Sequence, residues 1–108
     1  MGGKQSIIEA AGKGNLKRVR ECLKTSGPLA LTCRAAGGWT ALHKAARNGR
    51  MDIVNFLLAF GAEVDALDAT LSTPLHCAAW KGHAKVVDRL LDALADPHAI
   101  TEAGWTPR

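Results

Sequence analysis

Residues 73–79 read Thr-Pro-Leu-His-Cys-Ala-Ala, and residues 40–46, located 33 positions earlier, read Thr-Ala-Leu-His-Lys-Ala-Ala. A third copy begins with Thr-Pro at residues 106–107. The same spacing relates Gly49 to Gly82 and Leu57 to Leu90. A period of this length is typical of a supersecondary unit that cannot bury its own apolar face, so the units must stack into a solenoid. The stack leaves a long surface whose side chains are free to vary, which favours binding over catalysis.

Each repeat is predicted to contain two short helices. Thr40 is placed to cap the first helix, and Pro74 takes a first helical position, where proline is tolerated. Gly49 is predicted to end the first helix in a left-handed conformation. The second helix carries an apolar stripe at i, i+1, i+4 and i+5 and ends at Gly61. The stripe consists of Ile53, Val54, Leu57 and Leu58.

These residues resemble the ankyrin repeat. The resemblance rests on residues 73–79, on Lys-Gly-His at 81–83, and on Gly-Ala-Glu-Val-Asp-Ala at 61–66, which is similar to the turn between repeats in that family. It covers nearly the whole chain from about Ser6 onward. The resemblance implies an all-α solenoid of stacked helix-turn-helix units, with hairpin-like turns projecting at roughly a right angle. It also implies a concave binding face and no intrinsic catalysis.

The repeat frame divides the chain into a tail, a capping repeat, two full repeats and the start of a truncated repeat. The boundaries are 1–6, 7–37, 38–70, 71–103 and 104–108. The capping repeat lacks the Thr-Pro-Leu-His sequence and has a polar outer helix. Leu71 and Leu94 replace turn glycines, each at a cost of roughly 1 kcal/mol, which predicts rearranged or softened turns. Because the chain stops where a new helix should begin, we expect it to be a fragment of a longer array.

Length and composition indicate one soluble domain. The 108 residues are too few for two independent cores, and no apolar run approaches the ~18 residues that span a bilayer. The first residues lack the apolar segment of a secretory signal. Cys22 and Cys77 fall in apolar register, which predicts buried thiols in a reducing compartment. We expect a cytoplasmic protein with no cofactor and no bound metal.

The basic residues are concentrated in the first half of the chain. Residues 1–50 hold ten Lys or Arg against two acids, a balance of +8, whereas residues 51–108 have a balance of −4. The first six residues match the N-myristoylation pattern, in which Gly2 is acylated. A single acyl chain needs a second signal, and basic residues can supply it. The candidate membrane patch comprises Lys4, Lys13, Lys17, Arg18, Arg20 and Lys24. The alternative is that they form the solvated face of a capping helix.

The tryptophans indicate where a protein partner binds. Positions similar to theirs line the concave face in ankyrin-like repeats, and tryptophan and arginine are frequent energetic anchors of interfaces. The predicted binding stripe comprises Trp39, Arg47, Asn48, Ser72, Trp80, Lys81 and Trp105. The alternative for Trp39 and Trp105 is that they pack along their own turns.

Catalysis is not indicated by any spacing in the chain. His43 and His76 occupy the motif histidine, which in similar proteins connects neighbouring turns through hydrogen bonds. The first functional hypothesis is therefore a non-enzymatic adaptor that binds a protein partner. The second is a substrate-recruiting segment of a larger enzyme, such as a RING-type ubiquitin ligase. Nucleic-acid binding is disfavoured because the basic repeat lacks interleaved aromatic residues.

Overall fold

A computed structural model describes residues 3–93 of the chain. The described part contains three helical pairs and, between the first two pairs, a 3₁₀ helix at Gly27–Thr32. The pairs are α1 (Gly3–Lys13) with α2 (Leu16–Ser26), α3 (Ala41–Arg47) with α4 (Met51–Ala59), and α5 (Pro74–Trp80) with α6 (Ala84–Asp92). The predicted all-α stack of helix-turn-helix units is confirmed.

The core is built from two rows of helices. Helices α1, α3 and α5 form an inner row in which α3 packs against a neighbour on either side, whereas the outer helices α2, α4 and α6 contact one another sparsely. The inner helices approach closely because small residues such as Ala11, Ala45, Ala46 and Ala78 are fully buried between them. The outer helices contribute the larger apolar side chains, Val19, Leu23, Ile53, Leu57, Val87 and Leu90.

The inner helices begin at the predicted caps. Thr40 Oγ1 accepts a hydrogen bond from the His43 backbone N–H at 3.3 Å, and the Thr40 backbone N–H donates to His43 Nδ1 at 3.2 Å. Thr73 and His76 repeat this reciprocal pattern. Each of these reciprocal pairs is a capping box, and it satisfies two backbone donors that an uncapped helix would leave without partners. Gly49 follows α3 with φ of 69°, as predicted.

The capping repeat contains the helical pair α1 and α2. Helix α1 extends from Gly3 to Lys13, so it starts before residue 7, where the sequence places the boundary between the tail and the repeat. Ile7 and Ile8 are buried in place of the Leu-His pair of the other repeats. The longer connection after α2 contains the 3₁₀ helix.

The hairpin-like turns interlock along the stack. Residues 35–39 and 68–72 each close through paired backbone hydrogen bonds, and the Ala69 N–H donates to the Gly37 carbonyl at 2.9 Å. The Arg34 guanidinium adds a second link, donating to the carbonyls of Gly38 (2.7 Å) and Leu67 (2.6 Å). The first turn is therefore fixed to the second through the backbone.

Gly38 and Leu71 take the same left-handed conformation in successive turns, with φ of 77° and 64°. A Cβ on Gly38 would stand 2.8 Å from the Ala69 backbone nitrogen, so glycine is required there on two grounds. The rearrangement that we predicted at Leu71 does not occur, because the leucine retains the glycine conformation. Leu94, the other predicted departure, lies outside the described residues.

His43 connects the second repeat to the third. Its Nε2 contacts the Ser72 carbonyl oxygen at 2.8 Å, and its Nδ1 faces both the backbone N–H and the hydroxyl of Thr40. A carbonyl only accepts and a backbone N–H only donates, so Nε2 must carry the proton and Nδ1 must be unprotonated. The site therefore holds neutral imidazole.

Burial lowers the pKa of His43 below its ordinary value of 6.5, and this effect outweighs the hydrogen bond to Ser72 and the charge of Asp68, both of which raise it. For Asp68, burial raises the pKa, but hydrogen bonds from Ser72 and Thr70 outweigh burial, so the net pKa is below 3.8. The Thr70 and Ser72 N–H groups both donate to the Asp68 Oδ1 atom, at 2.8 and 2.9 Å.

Replacing Leu71 with glycine should raise the free energy of unfolding by roughly 0.5–1 kcal/mol, because glycine adopts positive φ without steric cost. The matched substitution in the preceding turn, Gly38→Ala, should instead lower it by about 2 kcal/mol, from the unfavourable φ and the close approach to Ala69. Urea denaturation measures both. If both substitutions changed the free energy of unfolding by the same amount in the same direction, the two turns would not be equivalent.

Stability should fall as the pH drops below about 6.5, where the unfolded chain protonates His43 and the folded chain does not, by at most about 1.4 kcal/mol per pH unit. Asp68 should add a second loss below about pH 4, since its folded pKa is depressed. The difference in the free energy of unfolding between pH 7.5 and pH 5.5, measured by urea denaturation, should be smaller in His43→Gln than in the parent. His83→Gln is the control, and it should retain the parental difference. An unchanged pH dependence in His43→Gln would contradict a neutral, buried His43.

Candidate protein-binding surface

Trp39 lies over the exposed side of α3. Its ring stacks on the His43 ring, with centroids 6.5 Å apart and planes 25° from parallel. Lys44 Nζ is 4.9 Å and Arg47 Cζ is 5.0 Å from the Trp39 ring centroid. Contacts of this kind contribute roughly 0.5–1 kcal/mol each at exposed sites. The indole is thus held by two cations and is half-buried, so Trp39 packs along its own repeat and still presents one side.

Trp80 ends α5 and is more open. Its ring contacts His76, with centroids 5.3 Å apart and planes at 50°, and 52% of the residue is exposed. It occupies the place that Arg47 has one repeat earlier, and exposed Lys81 follows it directly. A large indole fixed at one edge and open on the other is a typical interface anchor.

We call Trp39, Lys44, Arg47, Trp80 and Lys81 the aromatic–basic face. Lys44 was not in our sequence-based stripe, although its position one helical turn before Asn48 places it on the same side of α3. Leu71 was also missed as a surface residue, yet it is 71% exposed at the tip of its turn.

Two members of the predicted stripe have other partners in the structure. Asn48 is exposed, but its Nδ2 donates to the Gly12 carbonyl of the preceding repeat at 2.8 Å, beside a bond from Arg50 Nε to the same oxygen. Ser72 is only 3% exposed, and its carbonyl accepts from His43. Both connect repeats, so we leave them out of the aromatic–basic face. Trp105, the last member of the stripe, lies outside the described residues.

The cysteines of the described residues differ in burial. Burial raises the pKa of the Cys77 thiol to about 12, so the nucleophilic thiolate is scarce at neutral pH. Cys22, which we predicted to be buried, is only half-buried, because it packs against the core on one side and lines a surface depression on the other. Within residues 3–93, no three His, Cys, Asp or Glu side chains come together as a metal site.

His76 repeats the arrangement of His43 on one side only. Its Nδ1 accepts from the Thr73 backbone N–H at 3.0 Å, whereas its buried Nε2 has no hydrogen-bond partner among the described residues. For His43 the partner is the carbonyl 29 positions later. The corresponding residue for His76 is Trp105, outside the described part.

The predicted membrane patch is divided between the two helices of the first repeat. Lys4 and Lys13 belong to α1. Lys17, Arg20 and Lys24 line one side of α2, and Arg18 lines a separate depression with Cys22 and Thr25. Gly2 lies outside the described residues. None of the described helices is both long enough and apolar enough to cross a bilayer.

Comparison with known proteins identifies the repeat. The family model for ankyrin repeats, in three copies, matches residues 7–101. The chain is 42% identical over 69 residues to the 2-5A-dependent ribonuclease of Mus musculus, covering 64% of this chain and 9% of that protein. It is 37% identical over 102 residues to the palmitoyltransferase Hip14 of Drosophila melanogaster, covering 84% and 14%.

A third relative is the palmitoyltransferase ZDHHC17 of Homo sapiens, which is 36% identical over 99 residues, covering 91% of this chain and 15% of that protein. The chain therefore spans less than a fifth of the length of these relatives. With a family match over nearly its whole length, the chain belongs to the ankyrin-repeat family.

Proposed function

We propose that this chain is a non-catalytic protein-interaction module that binds a cytosolic protein partner through its aromatic–basic face. The observation that carries the proposal is the pairing of an open indole, Trp80, with an indole that Lys44 and Arg47 already hold in place. Ankyrin repeats are protein-interaction modules, which supports the proposal at the level of the family.

The physical advantage of this face is preorganisation. Ordering a flexible side chain on binding costs roughly 0.5–1.5 kcal/mol, and the two cation–π contacts meet part of that cost before the partner arrives. The three cations Lys44, Arg47 and Lys81 favour a partner with acidic residues, since complementary charge raises the association rate and excludes basic surfaces. Exposed Leu71 extends the face toward the turn tips.

The double variant Arg47→Ala, Trp80→Ala should lose partners that the parent captures from cytosolic extract. With the purified partner, its Kd should rise by at least about 30-fold, the effect of removing roughly 2 kcal/mol of anchor energy. Quantitative mass spectrometry and then calorimetry measure the two effects.

Leu67→Ala with Lys85→Ala is the matched control, because both residues are exposed and lie outside the aromatic–basic face. Thermal melts should show both variants folded. Equal recovery of every partner by the parent and the double variant would remove the aromatic–basic face as the binding site.

The alternative function is recruitment within a larger enzyme. It is favoured by the relatives, which are named as a ribonuclease and palmitoyltransferases and whose lengths greatly exceed the matched region. In this alternative the chain is part of a larger enzyme, for example a RING-type ubiquitin ligase. The same face would then bind the substrate of a catalytic domain elsewhere in that enzyme. The complete reading frame distinguishes the two, since the ligase requires a Cys/His zinc-binding domain.

Membrane tethering is a further part of the proposal. It rests on the acylation pattern at residues 1–6 and on the basic residues of the first repeat, which together supply the two signals that durable anchoring needs. The protein would then lie at the cytosolic side of a membrane, where anionic lipids attract Lys and Arg.

The tether predicts that cells expressing the chain incorporate labelled myristate and that Gly2→Ala abolishes incorporation. Gly2→Ala should also release the protein from the membrane fraction. Gly3→Ala, a neighbouring substitution of the same size, is the control and should leave both unchanged. Label that persists in Gly2→Ala would refute acylation at this residue.

A further inference from the structure

A second surface, on the opposite side of the stack, has the composition of a binding site. The outer helices α2 and α4 pack loosely against each other, and a groove of about 670 Å³ runs between them. We call it the convex groove. It is lined by Lys17, Arg20, Glu21, Lys24, Phe56 and Phe60. Its volume is within the range of roughly 300–1,000 Å³ that is usual for ligand pockets.

One wall of the groove is a row of cations. Lys17, Arg20 and Lys24 stand at i, i+3 and i+7 on α2, which places them on one side of the helix over about 10 Å. Glu21 is the single acid beside them. No hydrogen bond or ion pair joins these three side chains to another described residue. The positive charge of the wall is therefore available to a ligand.

The other wall is aromatic. The rings of Phe56, in α4, and Phe60, the residue that follows α4, are in tilted contact, with centroids 5.6 Å apart and planes at 37°. Phe56 also packs against the core, whereas Phe60 is 41% exposed. A large exposed apolar side chain beside a cavity indicates a ligand with its own apolar group, since contact removes both surfaces from water.

We propose that the convex groove binds a short acidic amphipathic helix of a partner protein, with acidic side chains on the row from Lys17 to Lys24 and an apolar side chain against Phe56 and Phe60. Insertion of the apolar side of an amphipathic helix into a groove is a recurring mode of peptide recognition. The site is separate from the aromatic–basic face. Its three cations are also members of the membrane patch, so a bound peptide would leave Lys4, Lys13 and Arg18 to contact lipid.

The geometry favours a peptide over a membrane. A membrane-bound surface must project its apolar residues about 5–10 Å into the headgroup region, beyond its cations. Here Phe56 is half-buried against the core and both rings line the wall of a cavity, so they do not form the protruding edge that insertion needs.

A fluorescent peptide of about 14 residues tests the proposal, with leucine or phenylalanine at i, i+3, i+4 and i+7 and glutamate at the flanking positions. The parent chain should bind it in fluorescence polarisation, and binding should weaken as salt rises from about 0.05 to 0.5 M. A scrambled peptide of the same composition should bind at least about tenfold more weakly, because the apolar residues no longer share one face.

Two variants test the two walls. Arg20→Glu with Lys24→Glu should raise the Kd at least about tenfold, and so should Phe60→Ala. The matched control is Lys13→Glu with Lys85→Glu, which makes the same charge change at exposed positions outside the groove. This control and Trp80→Ala should bind like the parent. Circular dichroism checks that every variant is folded.

Four outcomes would overturn the proposal. The first is equal binding of the ordered and scrambled peptides, and the second is equal loss in the groove and control double variants. The third is no peptide binding combined with phosphatidylserine-vesicle binding that depends on Phe60, which would make the groove a membrane surface. The fourth is a parent dimer in sedimentation equilibrium that Phe60→Ala dissociates, which would assign the groove to a second copy.

Discussion

The structure depends on the close approach of the inner helices α1, α3 and α5, which alanine makes possible. A helix of seven residues such as α3 is too short to be stable by itself, so its stability comes from burial against its neighbours. Fully buried alanines on all three inner helices let their backbones approach closely, and Ile8, Leu42 and Leu75 add larger buried side chains to the same row. Each repeat is therefore stabilised by its neighbours. The buried polar groups add to this, because they form hydrogen bonds from one turn to the next.

This arrangement separates the residues that hold the stack together from those that are free to recognise partners. Caps, motif histidines and turn carbonyls are buried and mutually hydrogen-bonded, as the network of Thr40, His43, Ser72 and Asp68 shows. The outward sides of the inner and outer helices are not needed for this hydrogen-bonded network. The inner helices present the aromatic–basic face. The outer helices pack sparsely against one another, which leaves the convex groove.

The sequence was sufficient to predict the helices, caps and stacking, because a 33-residue period, capping threonines and paired alanines constrain local structure and packing directly. It was less informative about individual surface residues. Asn48 and Ser72 look like surface positions by register, yet they bond to neighbouring repeats. Leu71 looked incompatible with its turn, yet the backbone bonds around it hold a left-handed conformation. The convex groove could not be predicted, since it arises from the distance between α2 and α4 and from no motif in either.

The mutual dependence of the repeats is tested most directly by amide hydrogen exchange on the intact chain at neutral pH. Helix α3 has an inner neighbour on each side, so its amides should exchange more slowly than those of α2 and α6, despite its shorter length. Uniform protection in all six described helices, or fastest exchange in α3, would contradict a stack in which each layer is stabilised by the layers beside it.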